Sequence, residues 1–453
     1  MPRKTNAPLP QPLFSEPVFN EAGAPTPDPT TFRTTHDPKA DDQLYKQVQS
    51  LLTKDTVSFS ASTGKPGDLF TLESALGAQG TADVQAIQKA GQIVFHAAGD
   101  TGAAAVGKLP NELNVADHLS NDLHTSTGAD RPAFLFHLGD IVYNFGESQY
   151  YYDQFYEPFR NYPAPIFAIA GNHDSFVIPK TAVADMPLTI FTRNFCATGP
   201  VITQEAGSLH RTAMTQPGVY FALDAPFVRI IGLFSNALED PGVISSQAGQ
   251  TTKWPNVPDL QLAFLTAQLQ NIKAQKYAGA VLIAVHHPPF SYAPPPKSGA
   301  AGGTHGGSTA MLRDIDTICK AQGVYPHAVL SGHAHNYQRY TRKVNFGGSN
   351  YAVPFVVCGD SGHNVTPIVS SRSKVAPADP APGAQVNYLD PNPVVQATGL
   401  TIENFDHTNY GYLRITVDKK SLHIEFHPVS KTGVKAAVDT VIVDLASHTV
   451  VPK

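Results

Sequence analysis

The chain has 453 residues, of which 42% are apolar and only 15% charged; that is too apolar for a disordered chain and too poor in charge for a coiled coil. A net charge of −5 leaves no basic footprint for nucleic acid, and the longest apolar runs, such as 281–285, fall far short of the roughly 20 residues of a membrane-spanning helix. Three cysteines (Cys196, Cys319 and Cys358) cannot build a disulfide framework, while the 35 glycines and 38 prolines imply many turns and long ordered loops.

In chain order, residues 1–43 read as a Pro-rich arm without apolar period. The prolines that break 9–13 leave no apolar signal core, so a cytoplasmic location is expected, or an extracytoplasmic one if a signal has been removed. Residues 44–90 form a lead-in: a short amphipathic helix over 42–52, then a polar, Gly-rich loop over 58–80. The remainder, 91–453, reads as the main domain. Within it five short apolar runs predict buried strands, at 93–98, 133–138, 165–170, 281–285 and 327–330. Each stops at glycine or polar side chains. Helical spacing falls at 149–159, 260–274 and 312–322, a strand pair at 220–223 and 228–234, and alternating strands at 411–417, 421–426 and 440–445. Alternating strands and helices followed by strands predict an α/β sheet extended or faced by a second sheet.

The side chains at the five strand ends are Asp100, Asp140, Asn172, His286 or His287, and His333 with His335; Tyr143 lies three residues past Asp140. In open α/β sheets, sites collect at the carboxyl ends of strands. Carboxylate, amide oxygen, imidazole and phenol make a ligand set for borderline to hard metals. Seven ligands are too many for one tetrahedral ion. They suit two cations about 3.5–4 Å apart, an arrangement typical of phosphate-ester chemistry.

The order Gly99-Asp100, Gly139-Asp140, Gly171-Asn172-His173-Asp174, His286-His287-Pro288-Pro289 and Gly332-His333-Ala334-His335 resembles the calcineurin-like metallophosphoesterase superfamily. Within it the chain is most similar to the purple acid phosphatases. Most of the superfamily has a histidine two residues after the first aspartate, where Gly102 stands, and lacks a tyrosine where Tyr143 stands. The last cluster continues as Asn336-Tyr337-Gln338-Arg339, and the segment Cys358–His363 resembles that family's Gly-rich stretch. The roughly 90 residues ahead of the first motif are expected to be too few and too irregular for the N-terminal fibronectin-like domain of plant-type members.

The resemblance implies a four-layer fold, two mixed β-sheets packed as a sandwich between helices. It implies Fe(III) held by Asp100, Asp140, Tyr143 and His335, and a divalent Zn, Fe or Mn ion held by bridging Asp140 with Asn172, His286 and His333. The alignment selects His286 over His287, a choice that spacing alone leaves open. The implied reaction is hydrolysis of a small phosphomonoester by hydroxide activated at the cations. His173 is the expected general acid, oriented by Asp174, with His305 a second candidate. Arg339 is expected to buttress the His333–His335 turn, and Tyr150, Tyr151 and Tyr152 to be core. The alternatives are a phosphodiesterase acting on cyclic nucleotides or phospholipid headgroups, and a metal-binding protein without turnover. A P-loop reading of Gly102–Lys108 fails because Leu109 replaces the Ser or Thr that holds Mg²⁺, and Pro110 disfavours a following helix. No G-x-S-x-G elbow is present.

Overall fold

The computed structural model describes residues 59–104, 106–175, 188–207, 209–240, 242–246, 257–292, 305–368, 379–385, 399–429 and 436–452. The N-terminal arm, the helix expected at 42–52 and the Pro- and Gly-rich stretch up to His305 lie outside the described residues.

In chain order the elements are β1 (Phe70–Thr71), α1 (Gly80–Ala90), β2 (Gln92–Ala98), α2 (Leu109–Thr125), β3 (Pro132–His137), β4 (Ile166–Ala168), β5 (Phe221–Ala225), β6 (Val228–Leu233), α3 (Leu260–Ala274), β7 (Ala280–Val285), α4 (Thr309–Gln322) and β8 (Ala328–Ser331). Then come β9 (Tyr337–Phe346), β10 (Ser349–Cys358), β11 (Ala384–Gln385), β12 (Leu400–Asp406), β13 (Gly411–Asp418), β14 (Ser421–Pro428), β15 (Asp439–Asp444) and β16 (Thr449–Val450).

They build two mixed sheets. The larger runs β1-β5-β6-β7-β8-β10-β9-β12-β11 and the smaller β16-β15-β14-β13-β2-β3-β4. Strands β2, β3 and β4 are parallel neighbours, as are β6, β7 and β8. These strands are buried almost throughout, because a parallel sheet carries cover on both faces. Between the sheets Phe136 stacks on Phe221 at 6.0 Å and Phe70 meets Phe167 edge-on at 5.7 Å. Helices α1 and α2 pack on the small sheet, α3 packs on the large one, and α4 packs beside α3. The expected layers are therefore present. In the tail, β13 and β14 alternate buried and half-buried positions, as strands covered on one face do.

Three local expectations are corrected. The stretch read as loop before Gly80 contributes β1, which pairs in parallel with β5, and a one-turn helix over Leu72–Ala75 capped by the Thr71 side chain; two paired residues are too short to give a period. Helix α2 does follow Lys108, starting at Leu109 with Pro110 in its first turn. There the missing proline N–H has no intrahelical partner to lose. The third correction concerns 149–159. Instead of one α-helix, a 3₁₀ turn at Ser148–Tyr150 leads into a π-type turn at Tyr152–Tyr156. The Glu157 amide donates to the Tyr152 carbonyl five residues back, at 2.8 Å. The widened turn presents Gln154, whose Oε1 accepts the Tyr143 N–H at 2.9 Å and whose Nε2 donates to the Tyr143 carbonyl at 2.7 Å. Tyr150, Tyr151 and Tyr152 are buried in the core, as expected.

Candidate metal centre

The five loops that follow β2, β3, β4, β7 and β8 meet where the two sheets present their carboxyl ends to each other. Asp100, Asp140 and His333 all adopt left-handed backbone conformations, with φ of 58°, 55° and 66°. Asp and His are among the residue types enriched there, although the conformation still carries strain. Hydrogen bonds between the loops hold it. The Asp100 N–H donates to the Gly139 carbonyl at 2.9 Å, and the His333 N–H donates to Asp100 Oδ2 at 2.7 Å. The glycines before the ligands are required by close approach. A Cβ at Gly139, where φ is +98°, stands 2.6 Å from His286 Nδ1, and one at Gly332 stands 2.5 Å from Asp100 Oδ2.

Two groups of donor atoms result, and they share one oxygen. In the first, the Tyr143 hydroxyl donates to Asp140 Oδ2 at 2.9 Å and lies 3.1 Å from Asp100 Oδ1 and 3.3 Å from His335 Nε2. In the second, His286 Nε2 lies 3.2 Å from the same Asp140 Oδ2 and 3.0 Å from Asn172 Oδ1, which is 3.1 Å from His333 Nδ1. Asp140 Oδ1 is occupied by the His173 N–H at 2.9 Å.

His286, not His287, points into the centre. Its Nδ1–H donates to the Leu138 carbonyl at 2.9 Å, which turns Nε2 toward the carboxylates. The two ring nitrogens of His287 are spent on Ser235 Oγ at 2.7 Å and the Leu238 carbonyl at 2.8 Å. Burial opposes charge on His286, yet Asp140 and Asp100 hold its pKa up at about 9. Burial and the same two carboxylates push the Tyr143 phenol far above its ordinary value. Buried carboxylates converging on a phenol and imidazoles form a site that calls for cations. His333 Nε2 is buried with no hydrogen-bond partner among the described residues. Asp140, His286 and His333 each place a ligand atom within 4.8 Å of the others. The residues present thus fit a bound metal.

The expected acid–base residues separate. His173 flanks the centre, its ring 4.2 Å from that of Tyr143; its Nδ1–H donates to the Asn144 carbonyl at 2.7 Å, and Nε2 faces outward, 4.0 Å from Glu239 Oε2. Burial lowers its pKa. Asp174 does not orient that imidazole. Its Oδ1 accepts the Ile141 and Val142 N–H groups at 2.9 and 3.1 Å, and its Oδ2 accepts the Gly171 N–H at 2.9 Å. It is a brace for the Asp140 and Asn172 loops. His305 does reach the centre, its ring 4.3 Å from His333 and 5.5 Å from His335. Burial opposes its charge, but Glu239 and Asp240 hold its pKa at about 9. Arg339 makes a two-point pair with Asp439, 2.5 Å from Nε to Oδ2 and 3.0 Å from Nη2 to Oδ1. It therefore ties β9 of the large sheet to β15 of the small one, just past His335.

Four residues escaped the sequence reading. Gln154 brackets Tyr143 as described. His363 stacks on the Tyr143 ring at 3.6 Å, with Nδ1–H donating to the Gly102 carbonyl at 2.8 Å and the Lys108 ammonium 3.2 Å from Nε2. Lys108, which figured in the P-loop pattern, is thus committed to this support. Glu239 and Asp240 follow β6, whose carboxyl end adjoins those of β7 and β8. The strand-end rule that found the ligands applies to that loop equally.

Residues 93–337, more than half of the chain, match the profile of the calcineurin-like phosphoesterases, and the chain belongs to that family. No curated protein matches. Among solved structures it is similar to a purple acid phosphatase from yellow lupin (Lupinus luteus) seeds, at 17% identity and a TM-score of 0.48, over 78% of this chain and 54% of that one. The chain thus spans about half the length of the lupin protein. It is also similar to the anchor of the inner membrane complex of Plasmodium, at 12% identity and a TM-score of 0.45, over 77% of this chain and 87% of that one. A third likeness is to PhoD, at 12% identity and a TM-score of 0.41, over 79% of this chain and 70% of that one. No helix among the described residues is long and apolar enough to cross a membrane.

Proposed function

We propose that the chain is a metal-dependent phosphoesterase that hydrolyses small phosphomonoesters at a dinuclear centre. Asp100, Asp140, Tyr143 and His335 would hold Fe(III), and Asp140, Asn172, His286 and His333 would hold a Zn, Fe or Mn ion. The observation that carries this reading is the single oxygen, Asp140 Oδ2, common to both donor groups at 2.9 and 3.2 Å. A phenol among carboxylates on one side favours a more highly charged cation than the imidazoles on the other. When bound, the pair supplies Lewis acidity toward water and toward a phosphate oxygen.

The chain's own residues supply the proton chemistry. An ester's leaving oxygen needs a proton, and His305 is the better placed donor. Carboxylates beside it keep it protonated at neutral pH, whereas burial favours neutral His173. With Nδ1–H given to the Asn144 carbonyl, His173 holds a phosphate oxygen only when Nε2, which lies 4.0 Å from Glu239 Oε2, is protonated as well. Activity toward nitrophenyl phosphate, with little toward bis-nitrophenyl phosphate, is the expected result. One observation favours the reverse order. Glu239 and Asp240 place two carboxylates beside the site, and these repel a dianionic monoester more than a singly charged diester. A preference for the bis-nitrophenyl ester assigns the chain to the diesterases.

A further inference from the structure

The loop after β6 contributes no residue to the ligand set, yet its two acids contact much of what surrounds the second donor group. Glu239 Oε2 accepts the Asn172 side-chain amide at 3.3 Å, and Glu239 Oε1 lies 3.4 Å from His305 Nε2. Asp240 Oδ2 lies 3.8 Å from His305 Nδ1, and Asp240 Oδ1 lies 3.9 Å from His333 Nε2.

The His333 contact has a consequence for tautomers. The Nδ1 of His333 is the atom that joins Asn172 Oδ1 and the second donor group. A nitrogen that ligates a metal carries no proton, so the other nitrogen of a neutral imidazole must. That N–H is Nε2, which is buried and has no hydrogen-bond acceptor among the described residues. The nearest carboxylate is Asp240, whose side chain is 51% exposed and can close the remaining distance. Ligating histidines almost always donate their second nitrogen to a carboxylate, carbonyl or water, and loss of that partner weakens metal binding.

We infer that Asp240 is the positioning carboxylate of the divalent site: it accepts the His333 Nε2–H and fixes the tautomer that presents Nδ1 to the metal. Glu239 does the corresponding service for Asn172, turning its amide so that Oδ1 faces His286 and His333. His305 lies between the two acids and takes its orientation from them. This inference rests on the dinuclear reading above.

The test is metal affinity, measured by chelator competition on full-length protein loaded with iron and zinc. The wild type is measured first. Fewer than two metals per chain there overturns the dinuclear reading itself. With two bound, Asp240→Ala is expected to weaken zinc retention by ~10–100-fold while iron content and the visible absorption of the Tyr143 side stay unchanged. Asp240→Asn, whose amide oxygen still accepts an N–H, is expected to restore much of the loss. Zinc affinity in Asp240→Ala within twofold of wild type overturns the inference. So does a third metal, a second zinc, in the wild type that Asp240→Ala removes, because Asp240 is then itself a ligand. Equal loss in the Ala and Asn variants overturns it as well, since an effect of charge alone needs no hydrogen bond to His333.

Discussion

The two sides of the centre share Asp140 but are built differently. On the Tyr143 side the donors are held by neighbours outside the donor set. Gln154 grips the Tyr143 backbone, His363 stacks on its ring, and Lys108 and the Gly102 carbonyl hold His363. On the His333 side the donors are buried too, but what faces them is a half-exposed acid pair and His305. One side is a closed socket for a cation. The other can exchange partners as a substrate arrives. Under the proposed function, the first would hold permanent charge and the second would handle protons.

The most severe way to break this comparison is to remove what the sides share. Asp140→Ala is expected to lose both metals, whereas Asn172→Ala loses mainly the divalent one; elemental analysis of the two variants separates them. Next in size is the proton. His305→Ala should lose about 10²–10⁴-fold in rate on an alkyl phosphate and far less on nitrophenyl phosphate, whose leaving group needs no proton. His173→Ala should reduce both substrates alike. If the pattern is exchanged, the proton donor is His173 and the acid pair has another role.

A third prediction concerns the clamp beneath the Tyr143 side. Arg339 and Asp439 are both buried, and Arg339→Met should destabilise the fold by about 3–5 kcal/mol by leaving a buried carboxylate without its cation. Burial raises the Asp439 pKa, but Arg339 and Tyr337 outweigh it and the net shift is downward. A depressed carboxylate pKa gives stability that is complete above the unfolded value, about 3.9, and fades as pH falls through the folded one. Urea melts should therefore show the wild type losing its advantage over Arg339→Met as the pH falls into the acid range. The smallest effect is expected from His363→Ala. It should shift the visible band of the iron-loaded protein while metal content stays the same.

The residues gathered at the candidate centre were legible because each is a local event: an apolar run, a glycine, then a polar side chain at a strand's end. His286 and His287 were ambiguous for the same reason. Adjacent residues on one loop differ only in where they point, and the Leu138 and Leu238 carbonyls decide that from elsewhere in the fold. Asp174 was misassigned because proximity in sequence to His173 says nothing of the backbone amides that claim its carboxylate. Gln154 was hidden by a π-type turn in a stretch with α-helical spacing. Strand β9 passed unseen since charged side chains such as Arg342 break its pattern; Arg342 finds its partner, Asp316, on α4 at 2.7 Å.

The central claim is two cations on either side of Asp140, one of them ferric and bound to a phenolate. Its most direct test is metal analysis together with the visible spectrum of the oxidised, iron-loaded protein, beside Tyr143→Phe. The account predicts two metals per chain, at least one of them iron, and a coloured protein whose charge-transfer band vanishes in Tyr143→Phe while the fold remains. A colourless wild type with iron bound, or no more than one metal per chain after full loading, would contradict it.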